Sequence, residues 1–229
     1  MATPSFPPVV LRNGVVVEDP LSSVLALLKG SWHFDVGDPS RPVSFGEADL
    51  RLANRGGARI SAAEIAAVLE RRGAIEQALE TIAPDASLAG EADSVPWLPL
   101  RQLFDVFAGI RGIGFAKMTK ALHPKRPALV PLLDSAVRNY LEDDDLGAQA
   151  PFGERALQLV RGYKTDLDRN RQAVRAIRLA LARRNFGLTE VRILDLLIWS
   201  ATTTPPSSTL PDAVTVPVPP LPDDQAGTR

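Results

Sequence analysis

Residues 109–134 read GIRGIGFAKMTKALHPKRPALVPLLD. Three residue types in this stretch can do chemistry. Glycines at 109, 112 and 114 can take φ > 0, and without a Cβ they let another backbone come close. A helix opening at Gly112-Ile113-Gly114 points its first N–H groups, and the positive end of its dipole, out of the turn, which suits a phosphate oxygen. Lys117 and Lys120, at i and i+3, add charge nearby, while Ile113 is placed to tuck inward and fasten two helices together. The same glycines would also serve an ordinary interhelical turn that needs only close packing. Asp134 follows an apolar run, twenty residues past Gly114, and opens SAVRNYL, where a carboxylate caps the N–H groups of a helix.

Charge is distributed unevenly. Residues 101–185 carry 16 basic and 9 acidic side chains, against 8 and 13 in residues 1–100 and 2 and 5 in residues 186–229. Such asymmetry suits a polyanion-facing surface, or a solvated helical face. Arg171, Arg175 and Arg178 lie along one face of DLDRNRQAVRAIRLALARR, with Val174, Ile177 and Leu181 on another. The two histidines, His33 and His123, stand 90 residues apart without metal-ligand spacing, and His123 fits a helix C-terminus. Asp143, Asp144 and Asp145 read as an acidic helix end. No GxxxxGK[ST] or G-x-S-x-G motif occurs, which argues against a P-loop nucleotidase and an α/β-hydrolase.

The elements that must position these residues are helices. Hydrophobic residues make up 45% of 229, enough for a sizeable core, and aromatics only 6%, so that core is mostly aliphatic. There is no cysteine, so disulfides, thiolate zinc sites and cysteine-held iron–sulfur clusters are excluded, and no cofactor is expected. The N-terminus lacks the pattern of a signal peptide, and no window is apolar enough to span a membrane, so the expected location is cytoplasmic. Asn13-Gly14 between two β-branched runs predicts a short hairpin. Helices are predicted from Pro20 to a stop at Gly30, over GEADLRLANR, and from Ser61, whose capping box with Glu64 marks a helix start. Further helices are expected after a break at Gly73, over about 97–108, 114–122, 132–143, 153–163 and 166–184, and a buried one over 188–201. The organisation reads as a loose N-terminus (1–8), an acidic, mostly helical region (9–95), a basic helical region with the glycine turn (96–202) and a disordered Pro-rich tail (203–229).

The turn and its aspartate resemble the helix-hairpin-helix of the DNA glycosylase superfamily, which includes endonuclease III and the adenine glycosylases. That pattern is roughly L-P-G-V-G, a helix, a short loop, then [IV]-P-[IV]-[LV]-D. Here it reads Ile110-Arg111-Gly112-Ile113-Gly114, the helix FAKMTKAL, the loop HPKRP, then Val130-Pro131-Leu132-Leu133-Asp134. The match covers about residues 105–141 and suggests a divergent bacterial branch. It implies a mainly α, glycosylase-like multi-helix fold, with duplex DNA as partner. The resemblance implies phosphate binding at Gly112, Ile113, Gly114, Lys117 and Lys120, and the basic face of Arg171, Arg175 and Arg178 would extend that surface. It makes Asp134 the catalytic acid, stabilising an oxocarbenium-like transition state or activating water on a flipped-out nucleotide. Members that also cleave the backbone carry a lysine two residues after the second glycine. That position is Ala116, so the implied activity is a monofunctional N-glycosylase without lyase chemistry. Arg111 stands where proline is common, and Ala136 where histidine is common. The alternative is a non-catalytic nucleic-acid-binding or interaction module that retains the hairpin.

Overall fold

A computed structural model describes residues 6–29 and 42–203. Residues 1–5, the Gly30 stop, Trp32, His33, residues 35–41 and the tail beyond Thr203 lie outside the described residues. The order is β1 (Val9–Val10), β2 (Val16–Val17), α1 (Pro20–Leu28), α2 (Glu47–Arg55), α3 (Ala62–Leu69), α4 (Arg72–Glu80), α5 (Trp97–Asp105), α6 (Phe115–Leu122), α7 (Ser135–Tyr140), α8 (Phe152–Arg169), α9 (Arg171–Ala182) and α10 (Glu190–Thr203). The fold is mainly helical. Its two strands pair antiparallel, Val9 opposite Val17 and Val10 opposite Val16, across a turn in which Gly14 has φ +80°.

One continuous set of buried side chains runs from Val9 to Ile198. The amphipathic helices supply it at helical spacing: Leu100, Leu103 and Phe104 from α5, Leu159, Val160, Tyr163 and Leu167 from α8, Val174, Ile177 and Leu181 from α9. α10 is apolar on most sides and sits at the centre, packed against α1, α7, α8 and α9. Ser61 and Glu64 form the expected capping box at the start of α3.

Three boundaries differ from the sequence expectation. Gly73 lies inside the first turn of α4, and the chain breaks instead at Arg71. The Arg71 guanidinium donates to the carbonyls of Val106 and Ala108, 2.8 Å each, satisfying acceptors just past α5. Helix α8 runs unbroken through Lys164 and Thr165, and the break falls at Asn170. The Asn170 side chain bonds both the N–H and the carbonyl of Val10, at 2.9 Å each, and so pairs one edge of the small hairpin. α7 begins only at Ser135, because Pro131 has no N–H to give a helix and Asp134 caps the one that follows.

Three of the sixteen basic side chains in residues 101–185, Lys125, Arg126 and Lys164, turn inward. Arg126 is fully buried and donates to the carbonyls of Leu79, Ile82, Pro42 and Lys125 at 2.7–2.8 Å, so it caps the end of α4. Lys125 pairs with Asp49 at 2.8 Å, tying the loop after α6 to α2. Lys164 donates to the carbonyls of Leu88 and Gly90 and pairs with Asp168. A basic run such as HPKR therefore serves as internal cement here.

Candidate functional site

The glycine turn lies in the segment that joins α5 to α6. Gly112 has φ +83°, the left-handed region that favours glycine, and Ile113 is buried beneath it. Gly114 is the extended N-cap residue of α6, and the N–H groups of Gly114 and Phe115 have no hydrogen-bond partner among the described residues. A carboxylate already lies against this turn. A Cβ on Gly112 would stand 2.0 Å from Glu64 Oε1. Glu64 also accepts from the Lys117 ammonium through both oxygens, at 2.7 and 2.8 Å. The Lys117 bond is the main reason the Glu64 carboxyl is held below its usual range. Lys117 is thus committed to α3.

Lys120 has different surroundings. With Gly56, Gly57, Leu132, Asp134, Val137, Arg192, Asp195, Leu196 and Trp199 it lines a cavity of about 240 Å³. The glycine pair that ends α2 makes one wall, and the Lys120 Nζ lies 3.9 Å from where a Cβ on Gly57 would be. No hydrogen bond or ion pair holds Lys120 among the described residues. Burial lowers its pKa, the carboxylate of Asp134 works against that shift, and Arg192 and Arg59 add to it. Lys120 follows Ala116 by four residues, one helical turn on the same face. The cavity therefore has an amine even though position 116 has none.

The extended segment 130–134 delivers Asp134 to the cavity, and side chains on two helices hold it. The Leu133 N–H donates to the buried Thr119 hydroxyl of α6 at 3.0 Å, and the Leu132 N–H donates to Asp195 Oδ2 of α10 at 3.3 Å. His123 Nδ1–H donates to the Val130 carbonyl at 2.6 Å; the ring is buried at the end of α6, so it does not contact a ligand at the surface. Asp134 Oδ1 accepts from the Val137 N–H at 3.1 Å, the N-cap geometry, while Oδ2 makes no hydrogen bond among the described residues. One carboxylate both caps α7 and lines the cavity.

The sequence pattern marks Trp199 only as a core or edge residue and does not mark Asp195 or Arg192 as site residues. Their signal was present: an acid at the centre of LDLL in an otherwise apolar helix must be buried. Asp195 is 3% exposed, and its Oδ1 has no hydrogen-bond partner among the described residues. Burial pushes its pKa well above the usual carboxylate range, opposed by Arg192 and the Leu132 N–H and reinforced by Asp134. Burial thus favours the protonated form of a side chain that lines the same cavity as Asp134.

The arginines of α9 stand elsewhere. Arg171, Arg175 and Arg178 line a second cavity, of about 190 Å³, with Glu190, which is on α10 but outside the Asp134 cavity. Arg171 pairs with Glu91 and Asp168, both at 2.8 Å, and Arg178 with Glu190 at 2.6 Å. Arg175 is exposed and has no partner among the described residues. Of the acidic run, Asp144 binds Arg12 and Asp145 binds Arg155, and no group of three metal-ligating side chains occurs among the described residues. No helix among them is long and apolar enough to cross a membrane.

Over residues 33–202 the chain matches the family described as "Family of unknown function (DUF6308)", and it belongs to that family. No curated protein and no solved structure matches it.

Proposed function

We propose that this protein binds duplex DNA through the α5–α6 hairpin and cleaves an N-glycosidic bond in the cavity at Asp134, as a monofunctional DNA N-glycosylase of cytoplasmic base-excision repair. The observation that carries this reading is Asp134 itself: one oxygen caps α7, and the other is left for the cavity. Its chemistry is electrostatic. As the base leaves, positive charge grows on C1′ and the ring oxygen, and a fixed carboxylate in a secluded cavity stabilises it without reorganising. A cavity of about 240 Å³ suits one flipped-out nucleoside unit rather than a base pair.

Ion pairing favours a second reading. Lys117, Arg171 and Arg178 are each matched to a carboxylate, which reduces the charge left for phosphate and suits a non-catalytic interaction module. Salt-dependent binding to a duplex carrying an abasic-site analogue separates the two. The glycosylase reading predicts preference for the analogue over intact duplex and an affinity that falls steeply with salt. Absence of binding at low salt would remove the DNA reading and leave the interaction module. Borohydride treatment of an abasic duplex adds a second check. The monofunctional reading predicts no covalent adduct, and an adduct that vanished in Lys120→Met would show that the amine in the cavity had taken up the lyase role.

A further inference from the structure

We propose that Asp195 is the general acid of this cavity, giving its proton to the departing group, so that the substrates are nucleotides whose base is neutral and a poor leaving group. This inference rests on the Asp134 reading above. Geometry is the main support. Asp195 lines the same cavity as Asp134 and is almost fully buried. Its Oδ2 is committed to the Leu132 N–H of the segment that carries Asp134, and Oδ1 is left without a hydrogen bond among the described residues. The charged and titratable groups that face it are Arg192 on its own helix, the Tyr163 hydroxyl from α8, Asp134 from the start of α7 and, across the cavity, Lys120 from α6. Tyr163 donates to the Val191 carbonyl at 2.5 Å, so its proton is already placed.

Two carboxyls in one cavity, Asp195 buried with Oδ1 unpartnered and Asp134 at the start of α7, can divide the work of proton donor and charge stabiliser. The step balances as follows. The electron pair of the C1′–N bond passes to the base, which takes the Asp195 proton. The sugar is left as an oxocarbenium ion beside the Asp134 carboxylate. Water then adds hydroxide to C1′ and returns its other proton to Asp195. The products are the protonated, neutral free base and an abasic sugar. An N7-alkylated purine is already cationic and leaves without this proton, so it gains nothing from Asp195.

That difference gives the test. Single-turnover base release is measured on duplexes carrying uracil, hypoxanthine or N7-methylguanine, with wild type, Asp134→Asn and Asp195→Asn. The proposal expects Asp195→Asn to slow release of a neutral base about 100-fold or more and to change N7-methylguanine release less than about threefold. Wild type alone supplies a second arm, independent of how the variant folds: release of a neutral base falls as pH rises through the Asp195 titration, and N7-methylguanine release does not. Equal loss on both kinds of base, no loss on either, or a wild type that releases only N7-methylguanine overturns the proposal. Release that depends on Asp134 but not Asp195 sinks this inference and leaves the Asp134 reading standing. No release of any base by wild type removes both.

Discussion

At the residue scale Asp195 is the side chain of the cavity on which burial acts most strongly. Asp195 is pushed up by burial, so its folded-state pKa lies above its unfolded one. A group shifted that way contributes stability that is full below the ordinary carboxyl pKa and is lost as pH rises through the folded value. Asp195→Asn removes the titration. Urea denaturation at a series of pH values should therefore show wild type losing stability relative to Asp195→Asn as pH rises from acid toward the folded pKa, with a constant difference beyond it. A parallel pair of curves would mean that the fold leaves the Asp195 pKa at its unfolded value. Gly112 and Gly114 also differ. Gly112 is left-handed and pressed by Glu64, so Gly112→Ala should cost about 1–3 kcal/mol from the backbone alone. Gly114 has φ −101° and open space where a Cβ would go, so Gly114→Ala should leave the thermal midpoint nearly unchanged and is the cleaner probe of the turn as a phosphate site. Gly112→Val would mix strain with binding.

At the element scale the fold depends on a few polar staples between helices. Arg126→Met would leave carbonyls of Leu79, Ile82 and Pro42 without their buried donor. At about 1–3 kcal/mol for each buried group left unsatisfied, the loss should reach at least about 3 kcal/mol, and calorimetry should show the midpoint falling by roughly 6–12 °C. The Glu64–Lys117 pair between α3 and α6 makes a different prediction. Glu64→Gln keeps the acceptor for the Ser61 N–H and removes the charge beside the hairpin. Duplex affinity at low salt should then rise about tenfold, because one more cation faces phosphate. Unchanged affinity would mean that this turn does not meet the backbone. Most of these elements were legible in the sequence. The capping box at Ser61, the Asn13-Gly14 turn, the hairpin helices and the apolar α10 follow from local pattern. The breaks at Arg71 and Asn170 were not, because partners far away in sequence set them: the carbonyls beyond α5 and the backbone of Val10.

At the scale of the whole molecule, a charge count by segment does not say where each charge lies. The excess of basic residues between 101 and 185 suggested one polyanion-facing surface. In the fold Lys125, Arg126 and Lys164 are buried, Lys117, Arg155, Arg171 and Arg178 pair with acids, and α10 carries Glu190 and Asp195 into different cavities. Asp134 was legible because its spacing from the glycine turn is local information. Asp195 and Trp199 reach the same cavity from a helix some sixty residues later, which only the tertiary packing reveals. The central claim is that this cavity breaks a glycosidic bond with Asp134 as the fixed charge. The direct measurement is base release from modified duplexes by wild type and Asp134→Asn, with binding to an abasic-analogue duplex followed in parallel. A single well-placed charge in a secluded site is worth several kcal/mol in the transition state, so release should fall about 100-fold or more while binding to the analogue is retained. Release that persists undiminished in Asp134→Asn would contradict the account and leave Asp134 as the cap of α7 alone.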